Sequence, residues 1–224
     1  MPAEGIVDTD RPPGVIVVAG GAPVTRGLTT AGATVIAADS GVALARAMGL
    51  EIDVAVGDFD SLDPDLVARL DDLAGEVRRF ATDKDATDLE LALQVAGERA
   101  PAQVLVLGLE GGRPDHALAN LLLAASTRFA ALDIELVLDR GRAWIVRDTL
   151  HGDWLAGALL SVLPLHGDAT VSISGVRWPL DHARLAAGTT HGVSNEAVGG
   201  PVTLTVHDGT AICIAPHNPT EESP

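Results

Sequence analysis

The feature that most constrains this chain is a regular alternation of short apolar runs with helical patterns between residues 15 and 138. The runs lack polar alternation, as expected of strands that are buried on both faces. Helical segments with recognisable ends lie between them. This alternation predicts a mostly parallel sheet with helices on both faces. The runs are Val15–Ala19, Thr34–Ala38, Val54–Val56, Val77–Phe80, Val104–Leu107 and Ile134–Leu138.

Capping residues mark the ends of the predicted helices. Asp63 and Pro64 fit the N-cap and the first position of a helix that continues to about Leu73. Thr87 and Glu90 have the spacing of a capping box, in which each residue satisfies a free N–H of the other. Two further helices are predicted over Ser40–Met48 and from Pro114 to about Arg128.

The pattern changes after about Asp139. Clusters of Gly, Pro, Asp and His separate short strand candidates, and no helical period is present. This predicts a small antiparallel β domain after the α/β domain, with the boundary within residues 139–153. The strand candidates are Leu159–Leu163, Thr170–Ile173, Val202–Val206 and Ala211–Ile214.

Composition limits the partners of the chain. With 47% apolar and 21% charged residues it is typical of a soluble globular enzyme. Its net charge of −16 disfavours nucleic acid and anionic membrane surfaces as partners. No apolar run approaches the length of a membrane span, and the first residues lack a signal-peptide pattern. The single Cys213 cannot form an internal disulfide, so we expect a cytoplasmic protein.

Acidic residues cluster where predicted strands end. Residues 51–65 hold six acids, and residues 83–90 hold four more. Both clusters follow a predicted strand and precede a predicted helix, which is where open α/β sheets bind ligands. Asp39 and the segment Gly111–His116 occupy equivalent positions after two other strands. Polar side chains from four strands are therefore expected at one edge of the sheet.

Asp58 and Asp60 are the acids most indicative of a metal site. In an extended segment residues two apart point the same way, with Phe59 facing the core. Paired carboxylates repel each other unless a cation is bound, and Mg²⁺ accepts carboxylate and phosphate oxygens together. The alternative for any single acid is a helix cap or a solvated surface residue, and Asp63 is adequately explained as a cap.

Two basic residues lie among these acids. Fourteen of the 15 basic residues are Arg, and the only Lys is Lys84, between Asp83 and Asp85. It suits a phosphate contact, although chance could also place it there. Arg113, just before a predicted helix, suits a phosphate clamp or a salt bridge to a nearby Asp. The chain has neither a P-loop nor a dinucleotide fingerprint. The residues thus predict Mg²⁺-dependent phosphoryl transfer without a Walker loop, and leave the substrate open.

Taken together and in this order, these motifs resemble those of the thiamine pyrophosphokinase family. The resemblance covers roughly residues 15–215 and adds two motifs in the predicted β domain. The segments that carry it are Ala19-Gly20-Gly21, Ala38-Asp39-Ser40-Gly41, Gly57 to Ser61, Lys84 to Leu93, Gly111 to His116 with Asn120, Trp178-Pro179-Leu180 and Ser194-Asn195-Glu196.

The resemblance implies a fold, a reaction and an assembly. An α/β catalytic domain that binds ATP and Mg²⁺ is expected over residues 14–140. A β-sandwich domain for thiamine binding and dimerisation is expected over residues 150–216. The family transfers the pyrophosphoryl group of ATP to the hydroxyl of thiamine, which gives thiamine diphosphate and AMP, and works as a homodimer. The alternatives are another Mg²⁺-dependent phosphotransferase or nucleotide hydrolase, and a non-catalytic sensor.

The resemblance also implies a role for each matching residue. Trp178 could instead be a core residue of the β domain, which is the better interpretation for Trp144 and Trp154. The implied metal ligands are Asp58, Asp60 and Asp88, and the implied catalytic residues are Asp60, Asp88 and Arg113. The implied ATP-binding residues are Asp39, Lys84, Asp85, Thr87, Arg113, Asp115, His116 and Asn120, and the implied thiamine-binding residues are Trp178, Ser194 and Asn195.

Overall fold

The computed structural model describes residues 13–23, 30–83 and 85–216. The chain divides into two compact units between residues 139 and 140. In the described part of the first unit, six parallel strands form one sheet in the order β6-β5-β1-β2-β3-β4. Their bounds are β1 Val15–Val18, β2 Thr34–Ala38, β3 Ile52–Gly57, β4 Ala74–Arg79, β5 Val104–Leu107 and β6 Ile134–Leu138.

The central strands of this sheet are buried, as their composition predicts. Every residue of β1 and β5 is buried, and Ile16, Ile36 and Leu107 are fully enclosed. The edge strand β4 is only partly covered and begins three residues earlier than predicted, at Ala74. The α/β fold class predicted from the sequence is confirmed.

The helices of this unit are α1 Gly41–Ala47, α2 Pro64–Val67, α3 Leu70–Leu73, α4 Asp88–Gly97 and α5 Pro114–Ala124. The single helix predicted over residues 63–73 is wrong. Asp63 does cap α2, since its side chain accepts a bond from the Asp65 N–H at 2.8 Å. The helix is interrupted at Arg69, and the second piece, α3, places Leu70 in the core, whereas α2 buries no residue.

The predicted ends of α4 and α5 are partly correct. The Thr87 hydroxyl accepts the Glu90 N–H at 3.3 Å, as an N-cap should. The Glu90 carboxylate, however, pairs with Arg128, which a capping box would not predict. Helix α5 ends at Ala124, before the predicted Arg128, and a 3-10 turn follows. No helix in the described ranges has the length and apolar character needed to cross a bilayer.

The second unit is antiparallel, and its described strands are β7 Gly141–Val146, β8 Thr149–Trp154, β9 Leu159–Ser174, β10 Leu180–Leu185, β11 Asn195–Glu196 and β12 Gly200–Pro216. Strand β12 pairs with β7, β8 and β9, and β9 also pairs with β10 and β11. The four predicted short strands are in fact halves of β9 and β12. A shift in pairing around Asp208, next to Gly209 at φ +84°, accommodates the polar residues without ending the strand.

Two tryptophans pack together in the hydrophobic core of the second unit. Trp144 and Trp154 are buried, and their rings meet edge to face with centroids 6.0 Å apart. The prediction that both are packing residues is confirmed. Leu160 and Leu204 belong to the same cluster and are almost fully enclosed. Cys213 also lies there, and burial raises the pKa of its thiol to about 12, so it stays protonated and unreactive.

Candidate active site

Acids from two strand ends meet at one edge of the α/β sheet. Asp39 follows β2, and Asp58 and Asp60 follow β3. Strands β2 and β3 are adjacent and parallel, so their carboxyl ends share that edge. One carboxylate oxygen of each residue lies within 4.8 Å of the other two. Among the described residues, this acidic cluster of Asp39, Asp58 and Asp60 is the one group with the geometry to hold a metal ion.

The backbone around the cluster differs from the extended segment that the sequence predicts. Phe59 adopts a left-handed conformation at φ +63°, and its side chain is buried in the core. Asp58 and Asp60 flank this anchor, and Asp58 Oδ1 accepts the Asp60 N–H at 3.3 Å. The two carboxylates therefore come together as predicted, through a tight turn rather than through strand geometry.

Asp39 is the buried member of the acidic cluster, with 7% of its surface exposed. Its Oδ2 accepts a hydrogen bond from the Ser61 hydroxyl. Its Oδ1 is also buried and has no hydrogen-bond partner among the described residues. Leaving a charged oxygen buried and unpaired costs roughly 1–3 kcal/mol or more. A bound cation would satisfy this oxygen, so the donor set fits a hard divalent ion such as Mg²⁺.

Asp88, the first residue of α4, lies beside this cluster without belonging to it. A Cβ on Gly57 would lie 3.2 Å from Asp88 Oδ1 and 3.2 Å from Asp39 Cβ. The side chains of Asp39 and Asp88 thus approach Gly57 closely. The sequence indicated Asp58, Asp60 and Asp88 as the metal ligands, with Asp39 on the ATP side. In the structure the close group contains Asp39 instead of Asp88.

Sequence reasoning gave no role to Ser61, although it ends the Gly57–Ser61 motif. Its bond to Asp39 joins residues 22 positions apart, so it becomes visible only in the folded chain. The bond holds one oxygen of the Asp39 carboxylate and so restricts its orientation. The signal that could have identified Ser61 is its place in a motif whose two other polar residues are both carboxylates.

Arg113 precedes α5 and forms a forked ion pair with Asp115. Its Nε and Nη2 donate to the two Asp115 oxygens at 3.1 and 2.5 Å. Hydrogen bonding to Arg113 holds the pKa of Asp115 at about 2 and raises the pKa of Arg113. The alternative of a salt bridge for Arg113 is thus realised. Both side chains are mostly exposed, and such pairs contribute little stability, so a phosphate could displace the carboxylate.

The other residues expected on the ATP side lie around α4 and α5. Thr87 caps α4, and Asp85 is exposed in the loop before it. His116 is exposed in the first turn of α5, and Asn120 is half-buried on the same helix. Lys84 lies outside the described residues.

The three residues expected to bind thiamine lie close together in the second unit. Trp178 is 53% exposed, so the alternative of a core tryptophan is wrong for this residue. The Arg177 guanidinium lies 4.8 Å from the centroid of its ring. Asn195 is buried, and its side chain bonds to the backbone of Trp178. Ser194 is exposed at φ +59°, and its N–H donates to the Ser161 hydroxyl at 3.0 Å.

Comparisons with known proteins match both units of the chain. A family model described as the catalytic domain of thiamin pyrophosphokinase matches residues 26–138. A second model, the vitamin B1 binding domain of thiamin pyrophosphokinase, matches residues 149–210. Thiamine pyrophosphokinase from Bacillus subtilis is 28% identical over 188 residues, which cover 80% of this chain and 85% of that protein.

Solved structures agree with these matches. A thiamin pyrophosphokinase family protein from Enterococcus faecalis superimposes with a TM-score of 0.79 at 25% identity, covering 91% of this chain and 99% of that chain. Thiamine pyrophosphokinase from Bacillus subtilis gives a TM-score of 0.76 at 26% identity over the same shares. The resemblance and the enzyme class stated from the motifs are confirmed. The chain belongs to the thiamin pyrophosphokinase family, the transferases that make thiamine diphosphate.

Proposed function

We propose that the chain transfers the pyrophosphoryl group of ATP to the hydroxyl of thiamine in a Mg²⁺-dependent reaction that releases AMP. The observation that carries the proposal is the acidic cluster of Asp39, Asp58 and Asp60, whose buried member Asp39 has an oxygen, Oδ1, without a partner among the described residues. A cation would satisfy such an oxygen, and a cation at this edge suits the transfer of a highly charged group. The family match supports thiamine as the acceptor.

Asp39, Asp58 and Asp60 are the residues proposed to hold Mg²⁺, with Asp88 beside them. Bound there, the ion would neutralise negative charge on the phosphates. The carboxylates act by fixing its position, and Asp60 and Asp88 retain their predicted catalytic role in this sense. Gly57 keeps Asp39 and Asp88 close, since any side chain there would contact both residues at 3.2 Å.

Arg113 is the proposed clamp for the phosphate that moves or departs. Its fork already grips one planar oxyanion, the Asp115 carboxylate, in the geometry that phosphate oxygens would use. The pair is exposed, so exchanging Asp115 for a phosphate has a small energetic cost. The proposed ATP-binding surface contains Lys84, Asp85, Thr87, Arg113, Asp115, His116 and Asn120.

Trp178 is the proposed thiamine platform. More than half of its surface is exposed in a β unit whose other tryptophans are buried. Aromatic faces bind flat rings and cations, and thiamine contains both an aromatic pyrimidine and a cationic thiazolium. This division of labour assigns ATP and Mg²⁺ to residues 14–140 and thiamine to residues 150–216.

We further propose a cytoplasmic homodimer as the active unit. The β unit exposes several large apolar side chains that a partner subunit could cover. A two-fold contact would build two equal sites, each combining phosphate-handling residues of one chain with Trp178 of the partner subunit. The exposed side chains are Leu155, Trp178, Val193 and Val198.

The direct test is incubation with ATP, Mg²⁺ and thiamine, followed by quantification of thiamine diphosphate and AMP. Equal amounts of the two products are expected. AMP that forms without thiamine would instead indicate a nucleotide hydrolase, and ATP binding without turnover would indicate a sensor.

Variants test the metal assignment in the same assay. Asp60→Asn should lower turnover by roughly 100-fold or more, the scale for losing one charge-stabilising group. Asp63→Asn is the matched control, because Asn caps a helix about as well as Asp. Equal behaviour of the two variants would contradict the assignment.

Mixed subunits test the shared site. A Trp178→Ala chain and an Asp60→Asn chain should form a heterodimer with up to about half the activity of the wild-type dimer, because one of its two sites is intact. If subunits exchange and the mixture stays inactive, each site lies within one chain.

A further inference from the structure

Asn195 is a buried polar side chain whose hydrogen bonds converge on the exposed Trp178. Asn195 has 8% of its surface exposed, whereas Trp178 has 53%. Its Oδ1 accepts the Trp178 N–H at 3.1 Å, and its Nδ2 donates to the Trp178 carbonyl at 2.7 Å. Both backbone polar groups of Trp178 are therefore held by a side chain 17 positions away in the sequence.

Little hydrogen-bonding capacity of Asn195 is left for a ligand. Oδ1 accepts a second bond, from the Glu196 N–H at 2.9 Å, which fills both lone pairs of that oxygen. Only one N–H of the amide remains, on a side chain that is more than nine-tenths buried. A side chain in this state orients its neighbours rather than contacting a molecule in solution.

Arg177 and Glu196, the residues next to Trp178 and Asn195, add further contacts between the same two segments. The Arg177 N–H donates to the Glu196 carbonyl at 2.8 Å, and the Arg177 guanidinium pairs with the Glu196 carboxylate at 3.3 Å. The same guanidinium lies 4.8 Å from the Trp178 ring centroid. The Asn195 bonds fix the backbone that carries the indole, and Arg177 lies over the ring itself. Ordering such a side chain only on binding costs about 0.5–1.5 kcal/mol.

We infer that Asn195 is a positioning residue for thiamine: it pre-orders Trp178 as a platform and does not touch the substrate. The inference rests on the proposed function, because it takes Trp178 as the thiamine platform. It revises the role that the motif resemblance gives to Asn195, which is a direct contact. Arg177 and Glu196 support the same arrangement.

Asn195→Ala is the first test. It should raise the KM for thiamine by up to about ten-fold, the ordering cost of one side chain, and leave the KM for ATP unchanged. Without any ligand, the amide hydrogen of Trp178 should exchange faster and acrylamide should quench Trp178 fluorescence more. Asn195→Asp keeps the acceptor but puts an oxygen against the Trp178 carbonyl in place of the donor, so its effect should be at least as large, and it serves as the second variant.

A double-mutant cycle separates positioning from contact. In a Trp178→Ala background, Asn195→Ala (or Asn195→Asp) should have no further effect on the KM for thiamine, because no platform is left to orient. A further increase there would overturn the inference, since it would require a direct contact. So would an unchanged exchange rate of the Trp178 amide in both Asn195 variants. Failure of the proposed function looks different: the wild-type chain would then make no thiamine diphosphate.

Discussion

Replacing Gly57 by alanine is the most informative single perturbation of the acidic cluster. Gly57 adopts φ +149°, a conformation that L-residues rarely take, so alanine is strained there regardless of space. The new Cβ would also lie 3.2 Å from Asp39 Cβ and 3.2 Å from Asp88 Oδ1. Both groups would have to move by a few tenths of an ångström, and both belong to the proposed metal environment.

The expected magnitudes follow from these two effects. Backbone strain of this kind costs about 1–3 kcal/mol, which corresponds to a Tm lower by roughly 2–12 °C for a chain of this size. Misplacing catalytic groups by 1 Å can cost about 100-fold in rate, so shifts of a few tenths of an ångström should lower activity by about four- to ten-fold. Gly57→Ala should therefore lose both stability and turnover.

Gly49→Ala is the matched control, measured by thermal unfolding and by thiamine diphosphate formation at a temperature where both variants are folded. Gly49 follows α1 at φ +73°, and nothing lies within 4 Å of its added Cβ. It should lose about 1–2 kcal/mol of stability and retain full turnover. If Gly57→Ala keeps wild-type turnover, or if both variants lose turnover equally, the reasoning about crowding at Gly57 is refuted.

Three further predictions follow from single side chains. Carbon NMR should find the pKa of Asp115 at about 2, and Arg113→Gln should return this pKa towards its ordinary value of 3.8. Because the pKa is lowered in the folded chain, the pair stabilises the fold above about pH 4. This contribution is lost as the pH falls through 2. Lys84→Ala should leave the Tm nearly unchanged and lower ATP turnover, because its predicted role is on phosphate; a large Tm loss with normal turnover would make it structural. Gly97→Ala, at the end of α4 with nothing within 4 Å, should stabilise the chain by about 0.5–1 kcal/mol in denaturant unfolding.

The sequence predicts the bounds of three strands well because their signal is local. Thr34–Ala38, Val104–Leu107 and Ile134–Leu138 have the predicted bounds, since a strand buried on both faces is mostly apolar. The edge strand β4 carries charged residues on its exposed side and is predicted less accurately. The sequence pattern predicts two short strands in place of β9 and two in place of β12, because polar stretches interrupt each pattern. The pairing that continues each strand comes from segments distant in the sequence.

In the candidate site, too, features that are local in the sequence are predictable and contacts between distant residues are not. The acids at the strand ends, Asp58 and Asp60 among them, are predictable from the order of strands and from their spacing. The contacts that orient them are not, because they depend on the conformation of the turn and on long-range bonds. The hydrogen bond from Ser61 to Asp39 and the hydrogen bonds between Asn195 and Trp178 each join residues at least 17 positions apart. A motif therefore brings candidate residues to attention, and the structure adds the contacts on which a separate role for Ser61 and Asn195 can be proposed.

The charge of the chain bears on how this edge can bind a polyphosphate. The protein carries −16, and three of its carboxylates have oxygens within 4.8 Å of one another in the acidic cluster. At an effective dielectric constant of about 20, two unit charges about 5 Å apart repel by roughly 3 kcal/mol. Such an edge repels a nucleotide unless a cation reverses the local field. Arg113, already paired with Asp115, and Lys84 together carry two positive charges, fewer than the three carboxylates of the acidic cluster. Nucleotide binding at this edge should therefore depend on the divalent cation. The carboxylates that repel ATP are the same ones proposed to hold the ion, so binding of the nucleotide and binding of the cation should be coupled.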